Sequence, residues 1–375
     1  MKAAIFKGKR SVDIADVEKP SMQNPKDAVI RVILTSICGT DLHMYHGKIP
    51  FEKNHILGHE FVGIVEEIGS EVQSIQPGDK VLGTSSIACG YCFYCKMGLF
   101  SQCDNANPET NATAYFGSPK QGGNFEGSQA EYMRIPFADT VLYKIPSEIT
   151  DEQALMLSDI VPTGYFGADM AQIKPGESVA VYGAGPVGQM AIKSAWLMGA
   201  SKVFAIDSVT RRLEMARDYG CAEIIDYSAT DPIKEIMNLT DNNGVDKAIE
   251  AVGLEAETTP LETVEEALRL EESSGRTLRW AIESVRKGGV VSVIGVFSGD
   301  VDNFPIGTLQ KKNITLIAGN CPHRKYLDTL VNYIIEGKLD PTYVITQRYN
   351  LNEIKDAYKC FDNNKNQCVK ELITV

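Results

Sequence analysis

The sequence predicts an α/β protein of two domains, one rich in short antiparallel strands and one a doubly wound parallel sheet. Three observations carry this. At 375 residues and 43% apolar content, the chain is long enough to bury two cores. Residues 1 to about 35 alternate apolar and polar positions and are punctuated by Pro20 and Pro25, and Pro77-Gly78-Asp79 reads as a turn between two further strands, which favours short strands over long helices. From Lys174 the pattern becomes strand, glycine loop, helix, strand, the rhythm of a parallel sheet with crossover helices.

Charge and cysteine usage narrow the function classes. With 37 basic against 49 acidic residues the net charge is −12, which argues electrostatically against nucleic acid or an anionic membrane as partner and leaves a small molecule as the default. The N-terminus (MKAAIFKGKRSVDI) turns polar after a few residues, and no later apolar run is long enough to span a bilayer, so a cytoplasmic protein is expected. The nine cysteines fit reduced thiols and metal sites better than a disulfide framework.

In chain order, Ala28 to Leu34 is the clearest early strand, and it delivers the chain to Cys38. From there to Gly63 the sequence brings a thiol (Cys38), a hydroxyl (Thr40), an imidazole (His43) and Gly58-His59-Glu60 into one stretch. A thiolate and a neutral imidazole make part of a zinc site, and a catalytic zinc needs a third protein ligand and one open position. Phe61 to Ile68 and Lys80 to Leu82 read as further strands. Cys89, Cys92, Cys95 and Cys103, spaced by three, three and eight, can close around a tetrahedral metal with no position left open, the pattern of a structural zinc. Residues 104 to 135 read as a long loop that ends in a strand at Ala130 to Ile135. Asp151 to Leu157 reads as a helix with an acidic start. Asp159 then interrupts an apolar run, and its residue type allows either a helix cap or a metal ligand.

Ser178 to Tyr182 reads as a buried strand, Gly183-Ala184-Gly185-Pro186-Val187-Gly188 as the loop and Gln189 to Leu197 as the helix. A second strand, Lys202 to Ile206, ends in Asp207, 19 residues past Gly188. This context is what a dinucleotide site requires: glycines let backbone amides approach a pyrophosphate at a helix N-terminus, and the acid accepts hydrogen bonds from the adenosine ribose. The charge on Asp207 opposes a 2′-phosphate and favours NAD over NADP, with Arg211 and Arg212 close enough to offset part of it. Asp246 to Ala251, Gly289 to Ile294 and Ile314 to Ile317 read as further strands of the same sheet. Leu254 to Arg279, rich in glutamate, reads as an inserted surface segment. Tyr326 to Glu336 and Leu351 to Phe361 read as amphipathic helices, and Cys368 to Val375 as a strand that returns to the first domain.

CGTDLH at Cys38 to His43, GHE at Gly58 to Glu60, the four-cysteine loop, SDIVPTGY at Ser158 to Tyr165 and GAGPVG at Gly183 to Gly188 resemble, in order and spacing, the zinc-dependent medium-chain alcohol dehydrogenases over nearly the whole chain. The aspartate in SDIVPTGY and the inserted segment most resemble the glutathione-independent formaldehyde dehydrogenase branch. The resemblance implies a GroES-like catalytic domain (1–159, completed by 319–375) and a Rossmann domain (160–318, with the insertion near 254–279). It implies Cys38, His59 and Asp159 as ligands of a catalytic zinc, and Cys89, Cys92, Cys95 and Cys103 as those of a structural zinc. Glu60 is implied as a carboxylate able to approach the catalytic metal. The cofactor contacts implied are Gly39, Thr40, His43, Gly183, Gly185, Pro186, Val187, Gly188, Asp207, Arg212, Val252, Gly295 and Val296.

Two positions depart from the family pattern. Ser85 stands where many members have phenylalanine, implying a roomier pocket, and Asp362, with Lys365 nearby, stands where an arginine commonly meets the pyrophosphate. The implied reaction is hydride transfer between a primary or secondary alcohol, or its aldehyde or ketone, and NAD. In it Thr40 takes the hydroxyl proton and passes it by way of the nicotinamide ribose to His43 and water. Rival readings are a formaldehyde or aldehyde dehydrogenase or dismutase with tightly held NAD, and a polyol or amino-alcohol dehydrogenase. A third, of another class, is an inactive nucleotide-sensing or structural zinc protein, against which the joint presence of Cys38, Thr40, His59 and Asp159 speaks. A homotetramer or homodimer is the family-level expectation.

Overall fold

The computed structural model describes residues 1–110, 112–253, 275–297, 300–301 and 303–375. The chain divides into two compact units, Met1–Pro162 with Asn320–Val375, and Thr163–Gly319.

The first unit is built on the strand Ala28–Ser36, whose alternating residues Ala28, Ile30 and Val32 enter a core with Phe61, Val65 and Val81. Full burial of a side chain such as Ile30 or Val32 stabilises the unit by roughly 1.5–3 kcal/mol relative to exposure. The strand pairs antiparallel with Phe61–Ile68 along most of its length, with Tyr132–Ile135 at its start and with the C-terminal strand Lys370–Thr374 at its end. Ile345–Asn350, Lys80–Gly83 and Leu142–Lys144 complete a seven-stranded sheet. A hairpin of Lys2–Gly8 and Ser11–Asp16 lies apart from it. Because Ser36 pairs with Leu372 and Thr35 with Phe61, three distant parts of the chain converge just before Cys38. The Thr35 hydroxyl ties two of them together by donating to the carbonyl of Glu60 at 2.8 Å.

The second unit carries a six-stranded parallel sheet. Numbered by sequence, its strands Ser178–Tyr182, Lys202–Asp207, Glu223–Asp226, Val245–Glu250, Val285–Val293 and Thr315–Ala318 lie in the order 3-2-1-4-5-6. That is the dinucleotide-binding order, with the reversal beside the first strand. Both faces are apolar because helices cover them: Val179 and Val181 pack on one side, Ala180 and Tyr182 on the other.

Two sequence expectations change here. Residues 254–274 of the expected insertion lie outside the described residues, but its end does not belong to a surface segment. Arg276–Ser284 is a helix that buries Leu278, Ala281 and Ile282 in the sheet's core, so the apolar spacing outweighs the run's charged composition. The expectation of reduced thiols is also corrected, since Cys360 and Cys368 form a disulfide across a Cα–Cα distance of 6.0 Å, within the range a bridge needs. Among the described residues no helix is long and apolar enough to cross a membrane.

Candidate active site

Cys38 ends the run that follows the central strand and caps the helix Gly39–Tyr45. Its own amide donates to Asp41 Oδ2 at 2.9 Å. The other oxygen of Asp41 accepts from the amide of Gly58 at 3.2 Å and lies 3.6 Å from His59 Nδ1, an ion-pair separation longer than a hydrogen bond. One buried carboxylate thus fixes the loops that present Cys38 and His59. Asp159 arrives between the helices Asp151–Leu157 and Ile160–Met170. The first of these starts at a capping box in which the Thr150 hydroxyl and the Gln153 side chain satisfy each other's amides.

At this meeting point Asp159 Oδ2 lies 3.5 Å from Cys38 Sγ and 3.5 Å from His59 Nε2. Donor atoms of Cys38, His59, Glu60 and Asp159 all lie within 4.8 Å of one another. Separations near 3.5 Å are what ligands at about 2.0–2.3 Å from a tetrahedral ion would show. The electrostatics agree. Burial opposes a charge on His59, yet Asp41, with Asp159 and Cys38, raises its pKa well above the ordinary value. Burial and the charge of Asp159 push the Cys38 thiol up. A pocket with this excess of negative groups fits a divalent cation, and the sulfur, nitrogen and carboxylate set fits zinc.

The far oxygen of Asp159 is held by residues that the sequence reading did not single out for this task. Asp159 Oδ1 accepts from His323 Nε2 at 2.9 Å and from Ser85 Oγ at 3.2 Å, and His323 Nδ1 faces Ser86 Oγ at 2.9 Å. An ionised carboxylate can only accept, so the ring proton belongs on Nε2, and Nδ1 accepts from Ser86. Burial opposes a charge on Asp159, yet His323 and His59 together hold its carboxyl well below the usual range. Ser85, expected only to leave space, contributes a hydroxyl to this network and is 4% exposed.

Glu60 is fully buried, and its Oε1 pairs with the equally buried Lys370, whose ammonium also donates to the carbonyl of Ile37 at 2.9 Å. Burial pushes the Glu60 carboxyl up to about 7, with Lys370 opposing it. Lys370, also absent from the sequence reading, thereby decides where Glu60 rests. Thr40 and His43 both lie on the helix after Cys38. His43 is 3% exposed, so the helix turns the ring inward. Asp362 pairs with His46 at 2.7 Å, and His55 Nε2 donates to the Phe125 carbonyl at 2.9 Å, which gives both remaining histidines structural partners.

Cys89, Cys92, Cys95 and Cys103 form a second cluster, with Sγ separations of 4.0 Å for Cys89–Cys95 and 3.9 Å for Cys92–Cys103. Amides of Tyr91 and Cys92 and the side chain of Asn105 donate to Cys89 Sγ, and the Cys89 amide donates to Cys103 Sγ. Four converging sulfurs with amides aimed at them fit a closed tetrathiolate metal site.

In the second unit the residues expected to hold the cofactor lie at the C-terminal ends of the parallel strands. Gly183, Asp207, Val252 and Gly295 each end or follow one of the four central strands. Gly183 has φ +91°, and a Cβ on Gly188 would collide with the Gly183 carbonyl, so the turn into the helix Pro186–Leu197 requires both glycines. Pro186 occupies the first helical position, where its missing N–H costs nothing. Val187 follows within that first turn. Asp207 Oδ2 accepts from the Ala184 amide at 2.8 Å, and Oδ1 accepts from Ser208 and Val209 at 2.8 and 2.9 Å. It therefore clamps the glycine loop, and its remaining lone pairs are what a ribose would use. Arg212 Nη1 lies 3.8 Å from Asp207 and the guanidinium packs against Gly185. Across the sheet, buried Glu250 Oε1 accepts from the amides of Val252 and Gly253 and from Thr277. Gly253 meets the backbone of Val296 closely enough to exclude a side chain.

Comparison with known proteins matches the chain along its whole length. Residues 24–147 match the family described as alcohol dehydrogenase GroES-like domain, and residues 186–270 that described as zinc-binding dehydrogenase. The uncharacterized zinc-type alcohol dehydrogenase-like protein AdhB of Bacillus subtilis strain 168 is 37% identical over 376 residues, covering 100% of both chains. The formaldehyde dismutase of Pseudomonas putida is 31% identical and covers 96% of this chain and 94% of its own. The solved alcohol dehydrogenase TADH from Thermus sp. ATN1 superposes with a TM-score of 0.88 at 37% identity over 100% of both chains.

Replacing His323 by alanine should free Asp159 to rotate and weaken metal retention by Cys38, His59 and Asp159 by roughly 10–100-fold. Competition against a chelator, followed through the visible spectrum of the cobalt-substituted protein, measures it. Unchanged retention would remove His323 from the site.

Proposed function

The chain belongs to the zinc-dependent medium-chain alcohol dehydrogenases, and from that membership we propose that it transfers a hydride reversibly between a primary or secondary alcohol, or its aldehyde or ketone, and NAD. The observation that carries this reading is the convergence of Cys38, His59 and Asp159 at donor separations suited to one tetrahedral ion. When bound, zinc supplies a Lewis acid for the substrate oxygen and the nicotinamide supplies the hydride acceptor.

The residues have separate tasks in this proposal. Asp159 presents Oδ2 to the metal position while His323 and Ser85 hold Oδ1. Lys370 keeps Glu60 paired and so keeps a fourth protein donor from closing the site permanently. Thr40 Oγ1, two residues from Cys38, takes the hydroxyl proton and His43 receives it next. Because His43 is buried, its proton leaves through another group or an ordered water rather than by direct exposure. Asp207 supports NAD over NADP, since its charge at the strand end opposes a 2′-phosphate. The likeness to formaldehyde dismutase favours a second reading, aldehyde dismutation on retained NAD. Finding NAD still bound after extensive dialysis would promote it.

A homo-oligomer is also proposed. Tyr91, Phe93, Tyr94, Met97 and Leu99 are exposed on the cysteine loop, with Phe93 at 67% and Met97 at 60%, a density of apolar surface that suits a second copy.

Steady-state assays with alcohols and aldehydes of graded size should show zinc-dependent turnover with NAD preferred. Inactivity of the fully metallated protein on the whole panel would sink the proposal. Asp207→Ser should lower kcat/KM for NAD by about 10-fold or more and narrow its advantage over NADP, the scale of one lost charged hydrogen-bond acceptor. Substituting glutamate at both Phe93 and Met97 should reduce the assembled mass seen by light scattering. An unchanged mass would place any interface elsewhere.

A further inference from the structure

Away from both metal clusters, the C-terminal segment assembles a third group of donors. Cys360 lies on the helix Ile354–Asn363, Cys368 precedes the strand Lys370–Thr374, and Glu371 lies within that strand. One donor atom from each falls within 4.8 Å of the others. Strand alternation sends neighbouring side chains to opposite faces, so Lys370 reaches Glu60 while Glu371 turns toward the two sulfurs.

Glu371 is the unexplained member. It is fully buried, and neither of its carboxylate oxygens has a hydrogen-bond partner among the described residues. The nearest cation in sequence, the Lys370 ammonium, is committed to Glu60 and the Ile37 carbonyl. Burial pushes the Glu371 carboxyl up to about 8, with the charge of Lys370 opposing the shift, so a bound cation would have to displace its proton. Native folds rarely leave a buried carboxyl in this condition without an ordered water, an ion or a functional role to account for it. A cation held by two thiolates and one carboxylate would do so, and two sulfurs in the set select a thiophilic ion. Cys368 is fully buried, whereas Cys360 is only half-buried and gives the ion a route in and a solvent-facing fourth position.

We propose that Cys360, Cys368 and Glu371 form a third metal site, which in its dithiol state takes one thiophilic divalent cation such as zinc or cadmium, the disulfide being the metal-free alternative. A small dithiol supplies the two electrons and two protons that convert the disulfide to two thiols and closes its own disulfide in exchange. The cation then displaces the two thiol protons as two metal–sulfur bonds form. Oxidation by a small-molecule disulfide runs the same exchange backward and releases the ion. The site is independent of hydride transfer and stands whether or not the proposed activity is found.

The test uses the full chain, oxidised or reduced by a dithiol that is then removed anaerobically, and equilibrated with cadmium. Metal per chain is measured by atomic emission, and thiolate-to-cadmium absorption by ultraviolet spectroscopy. The reduced protein should hold one more cadmium per chain than the oxidised protein. Cys360→Ser should abolish that increment, and Glu371→Gln should weaken it at least tenfold, while metal bound at the other two clusters and the circular dichroism stay unchanged to report folding. Equal metal content in the two redox states of the wild-type chain would overturn the proposal. So would an increment that survives in folded Cys360→Ser.

Discussion

The two oxygens of Asp159 face different partners, and the metal centre depends on their staying apart. Oδ2 is turned to Cys38 and His59, and Oδ1 is fastened by His323 and Ser85. A carboxylate left to rotate would offer either oxygen, and its neighbours' separations would no longer suit one small ion. The fastening is itself fixed, since Ser86 accounts for the other nitrogen of His323. Asp41 performs the corresponding task on the far side, joining the amides of Cys38 and Gly58 to the ring of His59. The three donors converge because two carboxylates and one imidazole, all buried, leave their loops few alternatives.

The same economy of buried charge recurs in the second unit. Glu250 and Asp207 are carboxylates whose first partners are backbone amides of the loops that follow the strands. Each holds a turn that glycine alone can make, at Gly183 or Gly253. A nucleotide would therefore meet preorganised loops, so less of its binding energy is spent on ordering them. Arg212, packed on Gly185 beside Asp207, adds a positive group at the point where the phosphates of a dinucleotide would approach.

Much of the fold was legible because period and punctuation are local. Phe61–Ile68, Ser178–Tyr182 and Asp151–Leu157 have the limits that alternation, a glycine loop and an acidic start suggest. The doubly wound parallel sheet was legible from the glycine-loop context, since a chain that begins this way has few topologies open to it. The parts that were missed are long-range. Nothing near Ser85, His323 or Lys370 in the sequence announces a task, because each acts only through a partner far along the chain. Cys360 and Cys368 looked like two more free thiols for the same reason: the helix that brings them together ends in a turn whose path the spacing does not encode. The start of the helix Arg276–Ser284, as far as Arg279, was taken into the surface insertion because the charged composition of the preceding run hides its short buried stripe.

The division of the chain has a genetic corollary. Every sulfur, imidazole and carboxylate of the Asp159 centre lies in Met1–Pro162 or Asn320–Val375, whereas the dinucleotide turns occupy one uninterrupted stretch, Thr163–Gly319. That stretch is a cassette bounded by two joints, and recombination at those joints would carry coenzyme preference from one ancestor to another while the inherited metal chemistry stayed intact.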